Sequence, residues 1–405
     1  MMKFGRVKRF LLLGCWLGLM APAVARTVEL GFPGLKHRIP VVLPEGHDPA
    51  KKYPVLLYYH GQGGSPDTKL ILHHTGAKDW IVVGMTYYQL GKISLTKEIM
   101  AKEGTLLRSV KKHLTDKYGM DPKRCYVAGF SKGGWMADML LQADHSLAGG
   151  VILGAGHLHK VTKPRRHKPG KPIFIGVGRL DGNYPHAYKA LLHHREYGAL
   201  TQLEVWQGIG HSFPAGGSQG LMQWLSLRLN KEGLADTAKQ TTQSLYDAAL
   251  KLPASEQWHQ LEQLRKTPYA QLPGTPWKKL ITEKMKKLQE KKTISKEAEA
   301  FAKMQNLLYK EISKQDAKSL TEVLLGYQSV HRSYSETPQA KLAKHDHDRV
   351  SGLLKLVVAQ EQAVKDREEL AKKAREDARK NKPKIKPIVP TPGKKGRIPI
   401  QPIFR

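Results

Sequence analysis

The feature that most constrains this chain is residues 124–135, where a strand-like run meets a glycine-flanked serine and then a helical pattern. Residues 125–128 favour a strand, Gly129-Phe130-Ser131-Lys132-Gly133 follows, and apolar residues at helical spacing begin at Trp135. A serine on so sharp a turn has strained backbone angles, and the small residues on either side avoid clashes between strand and helix. The pattern predicts a reactive hydroxyl at the end of a sheet, beside helix N–H groups that stabilise negative charge.

Apolar runs alternate with helical patterns on both sides of this stretch. The predicted strands cover residues 27–30, 35–43, 55–59, 80–85, 149–153, 172–177 and 202–206, and the predicted helices cover 98–118, 185–197 and 220–229. Several of these runs are apolar on both faces, as central parallel strands must be. The alternation predicts an α/β fold, with a mostly parallel sheet covered by helices on both faces.

Three chemically matched side chains follow strands of this sheet. Ser131 is the predicted nucleophile, Asp181 follows residues 172–177 as the acid, and His211 follows residues 202–206 as the base. The carboxyl ends of parallel strands form the ligand-binding edge of such a sheet, and Ser, Asp, His is one of the known chain orders of a catalytic triad. Asp181 has the alternative role of a helix cap. Asp144 and Asp67 are weaker candidates for the acid, since neither follows a strand at the expected place.

A glycine-rich turn follows the apolar run at residues 55–59. His60-Gly61-Gln62-Gly63-Gly64 allows backbone N–H groups to face a ligand. The turn after this strand commonly supplies one donor of an oxyanion hole, and the residue after the nucleophile supplies the other. The predicted donors are therefore the backbone N–H groups of Gln62 and Lys132; in isolation the turn would be read as an ordinary glycine turn.

Residues 35–229 resemble the polyhydroxybutyrate depolymerase-like and feruloyl-esterase-like branch of the α/β-hydrolases. The resemblance is carried by PEGHDPAKKYPVLLYYHGQGG, by MDPKRCYVAGFSKGGWMA and by GIGHSFP. It implies an exported enzyme that hydrolyses carboxylic esters and uses no metal and no organic cofactor. Lys132 departs from the family pattern, in which a small or uncharged residue is commoner after the serine, and this leaves the type of substrate open.

The first 25 residues have the form of a secretory signal peptide. Residues 10–20 are apolar, Ala23-Val24-Ala25 is a small-x-small cleavage pattern, and the preceding basic residues are Lys3, Arg6, Lys8 and Arg9. Cleavage after Ala25 and a secreted or periplasmic protein are expected. An uncleaved anchor is the alternative, but the apolar stretch is short for a span of about 20 residues. Cys15 lies in the middle of the apolar stretch, which disfavours lipidation. If Cys15 is removed with the signal peptide, Cys125 has no second cysteine with which to form a disulfide within the chain.

The chain is strongly basic. Removing the four basic residues of the signal lowers the formal charge of +32 to +28. This charge predicts attraction to anionic surfaces such as cell-wall polymers or acidic polysaccharide. Nucleic acid is not expected as a partner, because no zinc-finger spacing, RNA-binding signature or phosphate loop is found. No later apolar run is long enough to cross a bilayer, so no transmembrane segment is expected after cleavage.

Beyond residue 230 glycine becomes scarce and Lys, Gln, Glu, Ala and Leu predominate. The predicted organisation is a signal (1–25), an α/β catalytic domain (26–230), an all-α Lys-rich region (231–380) and an extended basic Pro-rich tail (381–405). The run at residues 345–348, HDHD, contains metal-binding residue types, but a solvated turn between helices is the favoured interpretation.

The favoured function is an exported serine carboxylic-ester hydrolase. A cationic loop would lie at the sheet edge that carries Ser131 and could select an anionic or polymeric ester; it comprises Lys160, Lys163, Arg165, Arg166 and Lys168. One alternative is a serine peptidase of the prolyl-oligopeptidase type, although no pattern for its large N-terminal domain is found. The other is a wall-associated binding protein on a hydrolase scaffold, which has no need of an intact triad.

Overall fold

The computed structural model describes residues 25–88, 96–157, 166–229, 234–267, 270–271 and 274–380. Its α/β part is an eight-stranded sheet in the order β1-β2-β4-β3-β5-β6-β7-β8. The strands are β1 (Arg26–Leu30), β2 (Ile39–Leu43), β3 (Tyr53–Tyr59), β4 (Ile81–Met85), β5 (Met120–Phe130), β6 (Gly149–Leu153), β7 (Pro172–Gly178) and β8 (Leu200–Trp206). β2 runs antiparallel to both β1 and β4, and all other pairs are parallel.

Helices cover both faces of the sheet. They are α1 (Lys69–Thr75), α2 (Lys97–Tyr118), α3 (Lys132–Ala143), α4 (Tyr184–Glu196) and α5 (Gln219–Leu229). Alternate residues of the central strands point to opposite faces: Leu57 and Val127 pack with α2, α3 and α4, whereas Leu56 and Ala128 pack with α1 and α5. The predicted α/β fold class is confirmed, and α2 ends at Gly119 in the left-handed conformation, as a C-terminal glycine allows.

The remaining helices are α6 (Leu234–Leu250), α7 (Ala254–Arg265), α8 (Trp277–Gln289), α9 (Lys292–Ser313), α10 (Ala317–Ser333) and α11 (Pro338–Lys380). The predicted all-α region is confirmed. α7, α8 and α9 share an apolar core around Trp258 and Ile281. The helices α6–α10 are called here the helical layer. Leu308 and Ile312 of α9 belong to the core that also contains α4, so the helical layer packs on the α/β part through α9.

Contacts divide the chain into one compact unit up to Val350 and a second from Ser351 onward. The predicted boundary at residue 230 falls among the undescribed residues 230–233. Residues 1–24 of the predicted signal peptide (1–25), most of the cationic loop (158–165) and the predicted tail (381–405) also lie outside the described residues. No helix in the described ranges combines the length and apolarity that a bilayer crossing needs.

The prediction for residues 345–348 is wrong. HDHD lies within α11 and is not a solvated turn, and Asp346 is 2% exposed. The buried positions Ala340, Ala343, Asp346 and Val350 recur at helical spacing along one face. A carboxylate occupies one of the positions where an apolar side chain would have revealed this face.

Candidate active site

Ser131 lies at the turn between β5 and α3 with φ 54° and ψ −117°. Among the described residues, no other non-glycine residue has a positive φ. A Cβ at Gly133 would lie 1.9 Å from the carbonyl oxygen of Tyr59, and one at Gly129 would lie 2.1 Å from that of Gly133. The turn therefore admits only glycine at both positions, as the strand-turn-helix interpretation requires.

The loop after β7 carries Asp181 to the same sheet edge. Its carboxylate is almost completely buried, and its Oδ1 accepts a hydrogen bond of 2.8 Å from the backbone N–H of Asn183. The loop between β7 and α4 (residues 179–183) is called here the acid loop. The backbone N–H of Leu180 donates to the carbonyl of Ile209 at 2.9 Å, which connects the acid loop to the loop that carries His211. The Asp181 side chain therefore does not cap α4, because its Oδ1 bonds to the residue before the helix and its Oδ2 faces His211.

His211 lies between Asp181 and Ser131 and is within hydrogen-bond distance of both. Its Nδ1 lies 2.8 Å from Asp181 Oδ2, and its Nε2 lies 2.8 Å from Ser131 Oγ. Because an ionised carboxylate only accepts, Nδ1 carries the proton and Nε2 accepts from the serine hydroxyl. Asp144 instead pairs with Lys111 at 3.0 Å, and Asp67 Oδ1 accepts from the backbone N–H of Lys69 at the start of α1. The structure brings together the three predicted residues and neither of the weaker candidates.

The glycine-rich turn after β3 lies beside Ser131, since a Cβ at Gly61 would be 3.6 Å from the Cβ of Ser131. Tyr87 supports the turn by donating its hydroxyl to the carbonyl of His60. Lys132 opens α3, so its backbone belongs to the positive end of the helix. This placement is compatible with the predicted donors Gln62 and Lys132, whose roles stay predictions.

The side chain of Lys132 points to the aromatic wall of the site. Its Nζ lies 4.3 Å from the centroid of the Tyr87 ring, a cation–π distance. Partial burial lowers the pKa of the Lys132 ammonium, and Glu103 acts in the opposite direction. The residue after Ser131 therefore places a partly buried cation against the Tyr87 ring.

A buried ion pair supports the acid loop and is not predicted from the sequence. Arg179, two residues before Asp181, donates to Asp346 of α11 through Nη1 at 3.2 Å and through Nη2 at 2.6 Å. Its guanidinium also lies 4.5 Å from the centroid of the Tyr184 ring. The partners are far apart in the sequence, so no local spacing indicates the contact.

The described residues also contain one cluster that could hold a metal: Asp138, His157 and His194, called here the Asp138 cluster. They belong to α3, to the loop after β6 and to α4, and no metal ligand is predicted from the sequence because these elements are separate.

Of the cationic loop, Arg166 and Lys168 are described and exposed. Its proposed selection of anionic substrates stays a prediction.

A scan against protein-family models and a search of curated proteins found no match. Among solved structures, the chain is similar to a carboxylesterase of Bacillus cereus (20% identity, 46% of this chain and 93% of that chain, TM-score 0.40). It is also similar to esterase 2 of Thermogutta terrifontis phosphoramylated by tabun (17%, 50% and 91%, TM-score 0.39). A third is a ferulic acid esterase of Anaeromyces mucronatus in complex with ferulic acid (15%, 48% and 87%, TM-score 0.37).

These neighbours are a carboxylesterase, an esterase and a ferulic acid esterase, and each covers about half of this chain. Because the sequence identities and TM-scores are low, the assignment of the fold rests on the strand order of the sheet and on the sharp turn at Ser131, whose φ is positive.

Proposed function

We propose that this chain is an exported serine hydrolase that cleaves carboxylic esters. The observation that carries the proposal is the Ser131–His211–Asp181 triad. His211 lies at hydrogen-bond distance, 2.8 Å, from both Asp181 Oδ2 and Ser131 Oγ. Such a triad activates a hydroxyl that is otherwise a weak nucleophile.

In the proposed reaction Ser131 Oγ attacks the ester carbonyl while His211 Nε2 accepts its proton. The imidazolium then gives that proton to the leaving alcohol, and Asp181 stabilises the charged ring through Nδ1. The carbonyl oxygen, which gains negative charge, would be held by the backbone N–H groups of Gln62 and Lys132. Water hydrolyses the acyl-enzyme through the same base.

The test is labelling of the purified mature chain with an active-site-directed fluorophosphonate. Wild type should be labelled and Ser131→Ala should not, whereas Ser212→Ala, which changes an exposed serine beside His211, should be labelled like wild type. Persistent labelling of Ser131→Ala would exclude the assignment.

Esters of graded acyl length and matched proline amides then separate an esterase from a peptidase. N-terminal sequencing of the exported chain checks cleavage after Ala25.

A further inference from the structure

The Asp138 cluster places three metal-ligating groups in one buried volume. The side chains of Asp138, His157 and His194 are 0% exposed, and one ligand atom from each lies within 4.8 Å of the others. Asp138 Oδ1 is 2.8 Å from His194 Nε2, and Oδ2 is 3.2 Å from His157 Nδ1. Ligand atoms in a tetrahedral zinc site with bonds of about 2.0 Å are about 3.3 Å apart, so the observed spacing suits one ion.

The charge of the cluster also favours a cation. The Asp138 carboxylate is completely buried, and besides the two histidines it contacts the Gln142 side chain, whose Nε2 donates to Oδ2 at 3.0 Å. Within the described ranges, its ion-pair partners are these two histidines, and no lysine or arginine pairs with it. Fully buried carboxylates are normally paired with a cation or bound to a metal.

The surrounding contacts fix the ligands in place. His157 stacks on His193 with ring centroids 3.6 Å apart, and its backbone N–H donates to the carbonyl of His186 on α4. Nδ1 of His194, the nitrogen that does not face Asp138, lies 2.9 Å from His167 Nε2. A metal-bound histidine commonly uses its second nitrogen in such a hydrogen bond, which orients the ring.

We propose that Asp138, His157 and His194 form a structural site for a divalent transition metal, with Zn²⁺ the best match for two imidazoles and one carboxylate. The ion would cross-link α3, which begins directly after Ser131, to α4, which follows the Asp181 loop. It would thus join the elements that position the nucleophile and the acid. The proposal does not depend on the proposed esterase activity, because metal binding is measured without a substrate.

The test is titration of chelator-treated full-length protein with Co²⁺, read from its visible ligand-field absorption, followed by displacement with Zn²⁺. We expect one Co²⁺ per chain, bleached by one Zn²⁺, and a rise in melting temperature with either ion. Asp138→Asn and His194→Gln should lose the signal. His259→Gln is the matched control, because it removes a histidine paired with a carboxylate, Glu297, outside the cluster.

Two further variants keep the test decisive if a ligand variant fails to fold. His157→Cys should add a thiolate-to-cobalt charge-transfer band in the near ultraviolet, which arises only if position 157 binds the ion. His167→Gln should keep the absorption spectrum but weaken affinity about 10- to 100-fold, as loss of an outer hydrogen bond does.

Folded wild-type protein that binds neither ion at micromolar concentration would overturn the proposal, and the cluster would then be a hydrogen-bonded network with a protonated imidazole. Binding that is unchanged in Asp138→Asn, His157→Gln and His194→Gln would also overturn it, since the ion would then lie on surface histidines.

Discussion

The backbone of Ser131 is held in a conformation that costs about 1–3 kcal/mol for a residue with a side chain. Hydrogen bonds on both sides of the residue maintain it. The N–H of Ser131 donates to the carbonyl of Leu153 at 2.8 Å, and its carbonyl accepts from Trp135 at 3.1 Å. The strain is thus offset by the neighbouring strand and the helix, and it keeps Oγ within reach of His211.

Gly133→Ala should test how closely β3 and α3 approach at this turn. Its Cβ would collide with the backbone of Tyr59, which cannot move without disturbing the central strand. We expect a loss of about 3 kcal/mol in the free energy of unfolding, the upper part of the range for overpacking, measured by urea denaturation. Gly216→Ala is the control, because its Cβ would meet nothing within 4 Å; equal stability of the two variants would contradict the geometry.

His211→Ala should lower ester turnover nearly as much as Ser131→Ala, because the base and the nucleophile act as one unit. The double variant should be no slower than the slower single variant. Steady-state kinetics on a soluble ester, with circular dichroism to confirm folding, measures both effects. Multiplicative losses would mean that His211 and Ser131 act independently, contrary to their 2.8 Å contact.

The triad could be predicted because each member follows a strand, and parallel strands end at one edge of a sheet. Arg179 and Asp138 could not be assigned roles in this way. Their partners, Asp346 and His194, are remote in the sequence, and only the folded chain brings these groups together.

At the scale of elements, the first turns of α11 connect the acid loop to the helical layer. Asp346 pairs with Arg179 and lies 3.5 Å from Arg349, which is itself paired with Glu311 of α9. Tyr327 of α10 donates its hydroxyl to Glu311 at 3.2 Å. The acid loop, α9 and α11 therefore share one network of buried and partly buried charges, to which α10 adds a hydroxyl donor, and each charged partner offsets the desolvation of another.

Asp346→Asn should destabilise the compact unit by about 3–5 kcal/mol, because it leaves the buried guanidinium of Arg179 without its carboxylate. Asp348→Asn, two residues further along α11, removes an exposed pair with Lys344 and should cost at most about 1 kcal/mol. Urea unfolding measures both. If the pair positions the Asp181 loop, Asp346→Asn should also lower kcat while Asp348→Asn leaves it unchanged.

The contribution of Asp346 should depend on pH with a definite sign. Burial alone would raise the pKa of its carboxyl, but Arg179 and neighbouring donors outweigh burial, and the pKa lies well below its ordinary value. The stabilisation is therefore fully present above the unfolded pKa, about 3.9, and is lost as pH falls toward the folded value. The stability difference between wild type and Asp346→Asn should shrink between about pH 5 and pH 2, and a constant difference would contradict the assignment.

On the scale of the whole molecule, the alternation of strands and helices was enough to predict the sheet and its two covered faces. The packing of the helical layer was not predictable in the same way. Leu308 and Ile312 share a face with other apolar residues of α9, which indicates a buried side but not its partner. That partner is α4, so α9 contributes to the core of the compact unit, up to Val350, that holds Ser131, Asp181 and His211.

The charge of the molecule is unevenly distributed along the chain. Residues 381–405 contain seven Lys and Arg side chains and no acidic residue, within a formal charge of +32. Ser131, Asp181 and His211 lie in the compact unit that ends at Val350, whereas these cations lie after it in the sequence. Adsorption to an anionic surface and turnover of a soluble ester should therefore be separable.

Deleting residues 381–405 should weaken adsorption to anionic cell-wall polymer and leave kcat on a soluble neutral ester unchanged. The effect should be largest at low salt, because exposed charges are screened over about 10 Å at 0.1 M ionic strength. A full-length chain in which the seven cations of the tail are replaced by glutamine separates charge from length, and it should adsorb as weakly as the deletion. Cosedimentation with the polymer across a salt series measures this. Strong adsorption by the glutamine variant at low salt would assign the interaction to the length of the tail or to the rest of the basic surface, and not to the cations of the tail.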